Sequence, residues 1–233
     1  MKSSKLLFLL TTLATALLVL TGAIAVPILC RPFYYAHIEA LDLSGQTGLP
    51  VEEIRRAFDE MMDFCLGWRE DFSVGVLPWS ESGRDHFADV RVLFQLDLVL
   101  LALSAAALVC LFFLARRVQW TPARPLGRGS GFWAAAGLAA VFLVVAALAA
   151  TDFERAFVIF HTLFFPGKTN WIFDWQTDPI ILLLPEVFFR NCTILIFGLL
   201  VVWCAVLIAA DFLGGKRRKT GTPPCAGCSG QRT

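Results

Sequence analysis

Four long apolar runs set the limits on what this chain can fold into. They cover residues 6–29, 93–115, 131–150 and 193–213. A stretch of about 20 apolar residues, wound as a helix at about 1.5 Å per residue, crosses a hydrocarbon core about 30 Å thick. Lipid offers the backbone no hydrogen-bond partners, so such runs must close their own hydrogen bonds as helices. The composition agrees: 57% of the residues are hydrophobic, against roughly 45–50% in soluble domains. The sequence therefore predicts an all-α, polytopic membrane protein. It has four transmembrane helices and an extracytoplasmic helical segment, in a single membrane domain over residues 1–233.

The first run follows Lys2 and Lys5, and Ala23-Ile24-Ala25 resembles a signal-peptide cleavage site. The run exceeds the usual apolar region of a signal peptide, about 7–15 residues, and an uncleaved span is expected.

Charge sets the orientation. Arg116, Arg117, Arg124 and Arg128 lie between the second and third runs, and Lys216, Arg217, Arg218, Lys219 and Arg232 follow the fourth. Neither segment holds an acid, and the positive-inside rule makes both cytoplasmic, at 116–130 and 216–233. Residues 31–92 carry twelve acids against six Lys and Arg; they and 151–191 are expected outside, with both termini cytoplasmic. Trp120, Trp171 and Trp175 lie near span ends, where interfacial aromatics gather.

The outer segments carry structure of their own. Val51, Ile54, Phe58, Met61 and Cys65 recur at steps of three and four, the pattern of an amphipathic helix. Pro50 and the acids Glu52 and Glu53 suit its start, and Gly67 its end. Ser80 is placed to cap a second helix that carries Glu81 to Arg91 into the second span. Residues 151–191 are rich in Phe and Trp and read as a segment folded into the outer membrane interface. Cys30, Cys65 and Cys192 fall on the outer side, where disulfides are permitted. Cys225 and Cys228 form an isolated pair, short of the four ligands of a structural zinc site.

No phosphate-binding glycine loop, HExxH or GxSxG occurs, so nucleotide-driven chemistry is not expected. The candidate chemistry rests on histidine. His86 and Asp89 are three apart and share a helix face, so that Asp89 is placed to fix the tautomer of His86 and leave its other nitrogen as a base. His161 lies among Phe157, Phe160, Phe164 and Phe165, where an imidazole needs a partner. His37, just past the first span, reads as structural. Asn170 and Asp174 read as loop formers able to orient a histidine. Asp178-Pro179 is a ready helix start, with the acid as N-cap. Asp97, in the second run near its outer end, is either a functional intramembrane acid or a water-facing one.

Taken in order, His86-x-x-Asp89-Val90-Arg91 precedes the second span. Phe160-His161-x-x-Phe164-Phe165, Asn170-Trp171, Asp178-Pro179 and Leu184-Pro185-Glu186 precede the fourth. This pattern resembles a family of bacterial membrane proteins, the lipoprotein intramolecular transacylases. Arg84-Asp85 departs from it, since apolar residues are expected before the first histidine. The resemblance implies a histidine-assisted acyltransferase of the bacterial cell membrane with His86 and His161 as its catalytic pair. Asp89, Arg91, Asn170, Trp171, Asp174 and Asp178 would support them, with Asn170 or Trp171 as hydrogen-bond donors. The implied reaction moves the sn-2 acyl chain of a diacylated lipoprotein from the glyceryl oxygen to the α-amine of its N-terminal cysteine, giving a lyso-form lipoprotein. Ester to amide is downhill, so no cofactor or metal is implied. The partners are diacylated lipoproteins and membrane lipids, with no nucleic acid. No serine or cysteine adjoins either histidine motif, which favours direct transfer over an acyl-enzyme. The competing readings are a non-enzymatic membrane scaffold or transporter-like component with structural histidines, and a metal hydrolase using His86, Asp89 and His161.

Overall fold

The computed structural model describes the backbone of residues 2–220 and the side chains of residues 2–214. The Cys225–Cys228 pair and the side chains of the basic tail lie outside the described residues. Among the described residues four helices are long and apolar enough to cross a membrane: α1 (Lys5–Leu29), α5 (Glu81–Arg117), α6 (Ser130–Thr151) and α8 (Glu186–Thr220). Between them lie α2 (Arg31–Ala40), α3 (Leu43–Thr47), α4 (Val51–Leu66) and α7 (Phe153–Phe164). A 3-10 helix, Pro179–Leu183, precedes α8.

Helix α1 is the centre of the bundle and packs on α5, α6 and α8, while α6 also packs on α8. Small residues make this close approach possible: Ala23 of α1 and Ala135 of α6 are fully buried, in a cluster with Val19, Leu138, Leu200 and Cys204. The hydroxyls of Thr11, Thr12, Thr15 and Thr21 donate to carbonyls one turn back, so α1 carries these polar groups into an apolar layer without leaving them unpaired. Asp97 faces the protein interior, not water, with its Oδ2 unpartnered.

At one end, the short strands β1 (Lys2–Ser4) and β2 (Trp120–Pro122) pair in parallel, tying the chain start to the loop between α5 and α6. The sequence pattern did not signal this ribbon. Asp211, near the same end of α8, accepts from the Gly129 amide at 2.9 Å and from Arg124 at 2.7 Å, with Arg128 at 3.5 Å.

At the other end a second core forms a cap. Helix α4 buries Ile54, Ala57, Phe58, Met61 and Cys65 along one face, the stripe expected from the sequence. Gly67 ends it at φ 81°, the left-handed region where glycine is unstrained. Tyr34 of α2 stacks on Phe58 with ring centroids 3.6 Å apart and donates its hydroxyl to the Leu183 carbonyl at 2.9 Å. Arg31 spans Asp59 and Asp63 at 2.7 and 2.6 Å, fixing α2 to α4. Cys30, Cys65 and Cys192 are all free thiols; the disulfide that their location permitted is not formed.

Helix α5 runs unbroken from the cap through the bundle. Ser80 caps it, its hydroxyl accepting from the Gly83 amide. The Ser80 amide and hydroxyl in turn donate to the buried Asp178 carboxylate, at 2.8 and 2.7 Å. Asp178 does precede the 3-10 helix, with Pro179 at its start, but makes no side-chain cap bond to it. Its carboxylate serves the start of α5 instead, a correction to the expected N-cap. The fit is tight, since a Cβ on Gly83 would lie 2.3 Å from Asp178 Oδ1.

Asp178→Ala leaves the Ser80 amide without its acceptor, a loss of about 1–3 kcal/mol. We expect the apparent melting temperature of the purified protein to fall by several degrees, at about 2–4 °C per kcal/mol. Gly83→Ala should fall likewise, and an unchanged thermal scan for both would exclude this tie as a stabilising contact.

Candidate active site

The second turn of α5 and the last turn of α7 bring His86 and His161 together. Their ring centroids lie 5.9 Å apart with the planes tilted by 30°, and both side chains are buried. Aromatic rings enclose them. Phe165 and Phe173 present edges to His86 at 5.1 and 5.4 Å, while Trp171 stacks on His161 at 4.8 Å and Phe157 lies 4.1 Å from it. Helix α7 produces this by periodicity: it buries His161 and leaves Ile159 and Leu163 exposed.

The two imidazoles are bonded differently. His161 Nδ1 lies 2.8 Å from the Phe157 carbonyl. A carbonyl only accepts, so Nδ1 carries the hydrogen and the neutral ring has its lone pair on Nε2. His86 Nδ1 is buried without a hydrogen-bond partner, the kind of unsatisfied group that native folds keep at functional positions. Burial pulls His86 down to about 4, with the neighbouring His161 adding to the effect. Burial also lowers His161, against the opposing pull of the Phe157 carbonyl. Both rings are therefore neutral at neutral pH, able to accept or donate one hydrogen bond each.

Asp89 does not hold His86 as its spacing suggested; among the described residues no hydrogen bond joins them. Its Oδ1 meets Lys168 Nζ at 2.5 Å and its Oδ2 accepts from Asn170 Nδ2 at 3.2 Å. Burial works to raise the Asp89 carboxyl, but those hydrogen bonds and the Lys168 charge outweigh it and hold it below its usual range. Asn170 Oδ1 is buried and unpartnered. Trp171 is part of the site wall and donates from Nε1 to the Lys168 carbonyl at 3.1 Å.

Arg91 turns away from the histidines. It donates to the Arg69 carbonyl at 3.0 Å, approaches Glu70 and covers the Phe64 ring, so it fastens the cap. Asp174 is exposed and shapes its own loop, accepting from the Gln176 amide. Asp178 supports the site through Ser80, at the start of the helix that carries His86. His37 has both nitrogens occupied, by the Phe33 carbonyl at 2.7 Å and Asn191 at 3.0 Å, and is a packed cap residue. No group of three His, Cys, Asp or Glu side chains among the described residues is arranged to hold a metal ion.

Sequence reading passed over Lys168, Phe165 and Phe173. Lys168 was open to notice as the only lysine between Lys5 and Lys216. The two phenylalanines had no such mark among 21 in the chain.

The architecture matches solved structures of the membrane-integral lipoprotein intramolecular transacylase Lit from Bacillus cereus. One is 20% identical with a TM-score of 0.81, covering 93% of this chain and 97% of that chain. A variant with a histidine replaced by arginine is 20% identical, with a TM-score of 0.76 over 93% and 94% of the two chains. A variant with alanine in place of histidine is 21% identical, with a TM-score of 0.73 over 93% and 95%. At this identity the likeness establishes the fold. No curated protein sequence matches the chain. The family model for the lipoprotein intramolecular transacylase Lit, however, matches residues 9–189, which hold both histidines and their aromatic surroundings. The chain belongs to the lipoprotein intramolecular transacylase Lit family, and is a multi-pass membrane acyltransferase.

Proposed function

We propose that this chain moves the sn-2 acyl chain of a diacylated lipoprotein from the glyceryl oxygen to the α-amine of the N-terminal cysteine, using His86 and His161. The observation that carries the reading is the pair of buried imidazoles 5.9 Å apart, on two different helices, inside an aromatic enclosure. The α-amine attacks the sn-2 ester carbonyl carbon. A tetrahedral centre forms, the carbon–oxygen bond to glycerol breaks, and the amine proton ends on the glyceryl oxygen. His161, whose Nδ1 is held by Phe157, offers Nε2 as the base for that proton. His86, neutral and with no partner on Nδ1, is suited to donate to the oxyanion or pass the proton to the leaving oxygen. The direct attack closes a ring of roughly eight atoms, and holding the two ends of the substrate together supplies much of the rate. Enclosure by Phe165, Phe173 and Trp171 excludes water, which would otherwise hydrolyse the ester.

The reaction takes place on the outer side in this reading, with residues 31–92 and 151–191 extracytoplasmic and the termini and residues 116–130 cytoplasmic. The arginine-rich loop supports that orientation. The exposed apolar side of α7 suits contact with lipid, from which the substrate's acyl chains enter. A scaffold with structural histidines would satisfy both rings with fixed partners, as His37 is satisfied; His86 is not.

His86→Ala and His161→Ala are expected to lower N-acylation roughly 10²- to 10⁴-fold, read as the mass of the lipoprotein's N-terminal peptide at equal membrane accumulation. His37→Ala should retain most activity while lowering thermal stability. Near wild-type conversion by both of the first two variants would overturn the histidine mechanism.

The substrate α-amine, at about 7.7–8.0, must be neutral to attack. Burial pulls both histidines below the ordinary 6.5, His86 to about 4, so the amine is the first of the three groups to protonate as pH falls. The rate should therefore drop by about one decade per pH unit just below pH 7, from the amine. A slope near two would mean that a catalytic histidine titrates there.

Leu126, in the loop assigned to the cytoplasm, is strongly exposed. Leu126→Cys should resist an impermeant thiol reagent in intact cells and react after permeabilisation, whereas the exposed Cys30 should react in both. Labelling at position 126 in intact cells would reverse the topology.

A further inference from the structure

A diacylated lipoprotein brings its α-amine to the site mostly as an ammonium ion, since its pKa of about 7.7–8.0 lies above neutral pH. A cation entering an aromatic enclosure needs a counter-charge or a close set of acceptors. The two neutral imidazoles offer lone pairs but no charge. Of the nearby carboxylates, Asp178 is taken up by Ser80 and Thr177, and Asp85 is exposed and paired with Arg84. Asp89 remains. It stands one turn beyond His86 on α5, where side chains three apart have Cβ atoms roughly 5–6 Å from each other. Its second contact, Asn170, adjoins Trp171, which stacks on His161. The carboxylate is thus joined to the supports of both rings.

Its present partner is the clue to its ligand. Asp89 is held by a primary ammonium group, that of Lys168, at 2.5 Å. Lys168 is half-exposed, on a flexible stem, and this is its one ion pair among the described residues. Asn170, which donates its Nδ2 to the other Asp89 oxygen, keeps a buried Oδ1 that accepts no hydrogen bond. A primary ammonium has three N–H donors, and Lys168 meets Asp89 Oδ1 while leaving the Asn170 oxygen unbonded.

We propose that Asp89 and the amide oxygen of Asn170 form the docking point for the substrate's α-ammonium, and that Lys168 occupies it until substrate arrives. This rests on the acyl-transfer reading above. Exchange of one primary ammonium for another keeps the charge of the site constant and never leaves the Asp89 carboxylate bare beside aromatic walls. The displaced Lys168 side chain swings to solvent. The docked ammonium then loses one proton to solvent, which leaves both imidazoles neutral, and the amine, no longer held by charge, is released to attack the ester; its second proton passes through the histidines to the glyceryl oxygen.

The test separates docking from chemistry. The probes are two diacyl lipopeptides whose sn-2 ester is replaced by an unreactive ether, one with a free α-amine and one N-acetylated. Binding to the full chain in detergent is measured for each. The wild type should prefer the free amine roughly tenfold, the worth of one charge-assisted hydrogen bond. Asp89→Asn should bring that preference close to one, and Lys168→Gln, which removes the competitor, should raise it several-fold. An unchanged preference in a folded Asp89→Asn protein overturns the proposal. If that variant does not fold, Lys168→Gln decides: a raised preference supports the exchange and an unchanged one overturns it. Conversion of the ester lipopeptide by the wild type is followed in parallel. Conversion with no Asp89-dependent preference sinks the docking proposal alone, whereas absent conversion sinks the acyl-transfer reading and leaves the binding result to stand by itself.

Discussion

The site depends on one buried carboxylate. Asp178 reaches back 98 positions in the chain to the amide and hydroxyl of Ser80, at the point where α5 begins. A helix start has unsatisfied amides, and here the capping residue is itself held by a second group. This fixes the segment before α8 against the helix that carries His86 and Asp89. The 3-10 helix that follows Asp178 buries Ile180 and Leu183 in the cap core and receives Tyr34 through the Leu183 carbonyl. One charged group therefore links the cap, the bundle and the loop bearing Asn170 and Trp171. Gly83 permits the approach, because any side chain there would meet the carboxylate.

A membrane constrains where such chemistry can sit. Within the hydrocarbon layer every backbone group must be paired inside a helix, so the irregular segment 165–178 belongs beyond it. Helix α5 meets both demands. At 37 residues it is about 55 Å long at 1.5 Å per residue, well beyond an apolar layer of about 30 Å. Its surplus turns stand in the cap and present His86 there. The aromatic rings around the histidines have two effects at once. They shield the two rings from water, and by the same desolvation they pull both imidazoles toward the uncharged form. In the proposed mechanism such a histidine is a weaker base, and proximity within one substrate molecule supplies the balance of the rate.

Much of this was legible in the sequence, and the remainder failed for a common reason. The four apolar runs, the amphipathic stripe of α4 and the glycine that ends it are local signals, set by periodicity and by backbone conformation. The union of Glu81–Arg91 with the second span was readable because no helix breaker intervenes. What periodicity could not supply was partner choice over long distances. Asp89 and His86 share a helix face, yet the carboxylate found a lysine 79 positions away. Arg91 belongs to the same motif but points to Arg69 and Glu70. Asp178 stands at a helix start, as the sequence suggests, while its carboxylate accepts from Ser80, the capping residue of a different helix. Helix α2 fully buries only Tyr34 and Ile38, too few positions for its ten residues to show a periodic stripe. The β1–β2 ribbon has three residues per strand and leaves no pattern.

The opposite end of the bundle shows how one residue type can answer two demands. Arg124 and Arg128 are half of the arginines on which the proposed orientation of the loop between α5 and α6 rests. Both are also used structurally, on Asp211 of α8, and Arg128 lies 3.8 Å over the Phe212 ring. Asp211 takes the Gly129 amide as well, satisfying a donor at the start of α6 that has no partner within its own helix. Pairing with an acid does not cancel the topological signal, since acids weigh little in membrane orientation. In the proposed orientation the same cations select the side on which the loop stays during insertion, and in the fold they lock α6 to α8. Arg116 and Arg117 end α5 with no such partner among the described residues, and Arg116 covers only the Phe112 ring of its own helix. That division fits a bundle in which α5 is positioned mainly from its cap end, through Ser80 and Asp178, whereas α6 and α8 are fastened to each other at the opposite one.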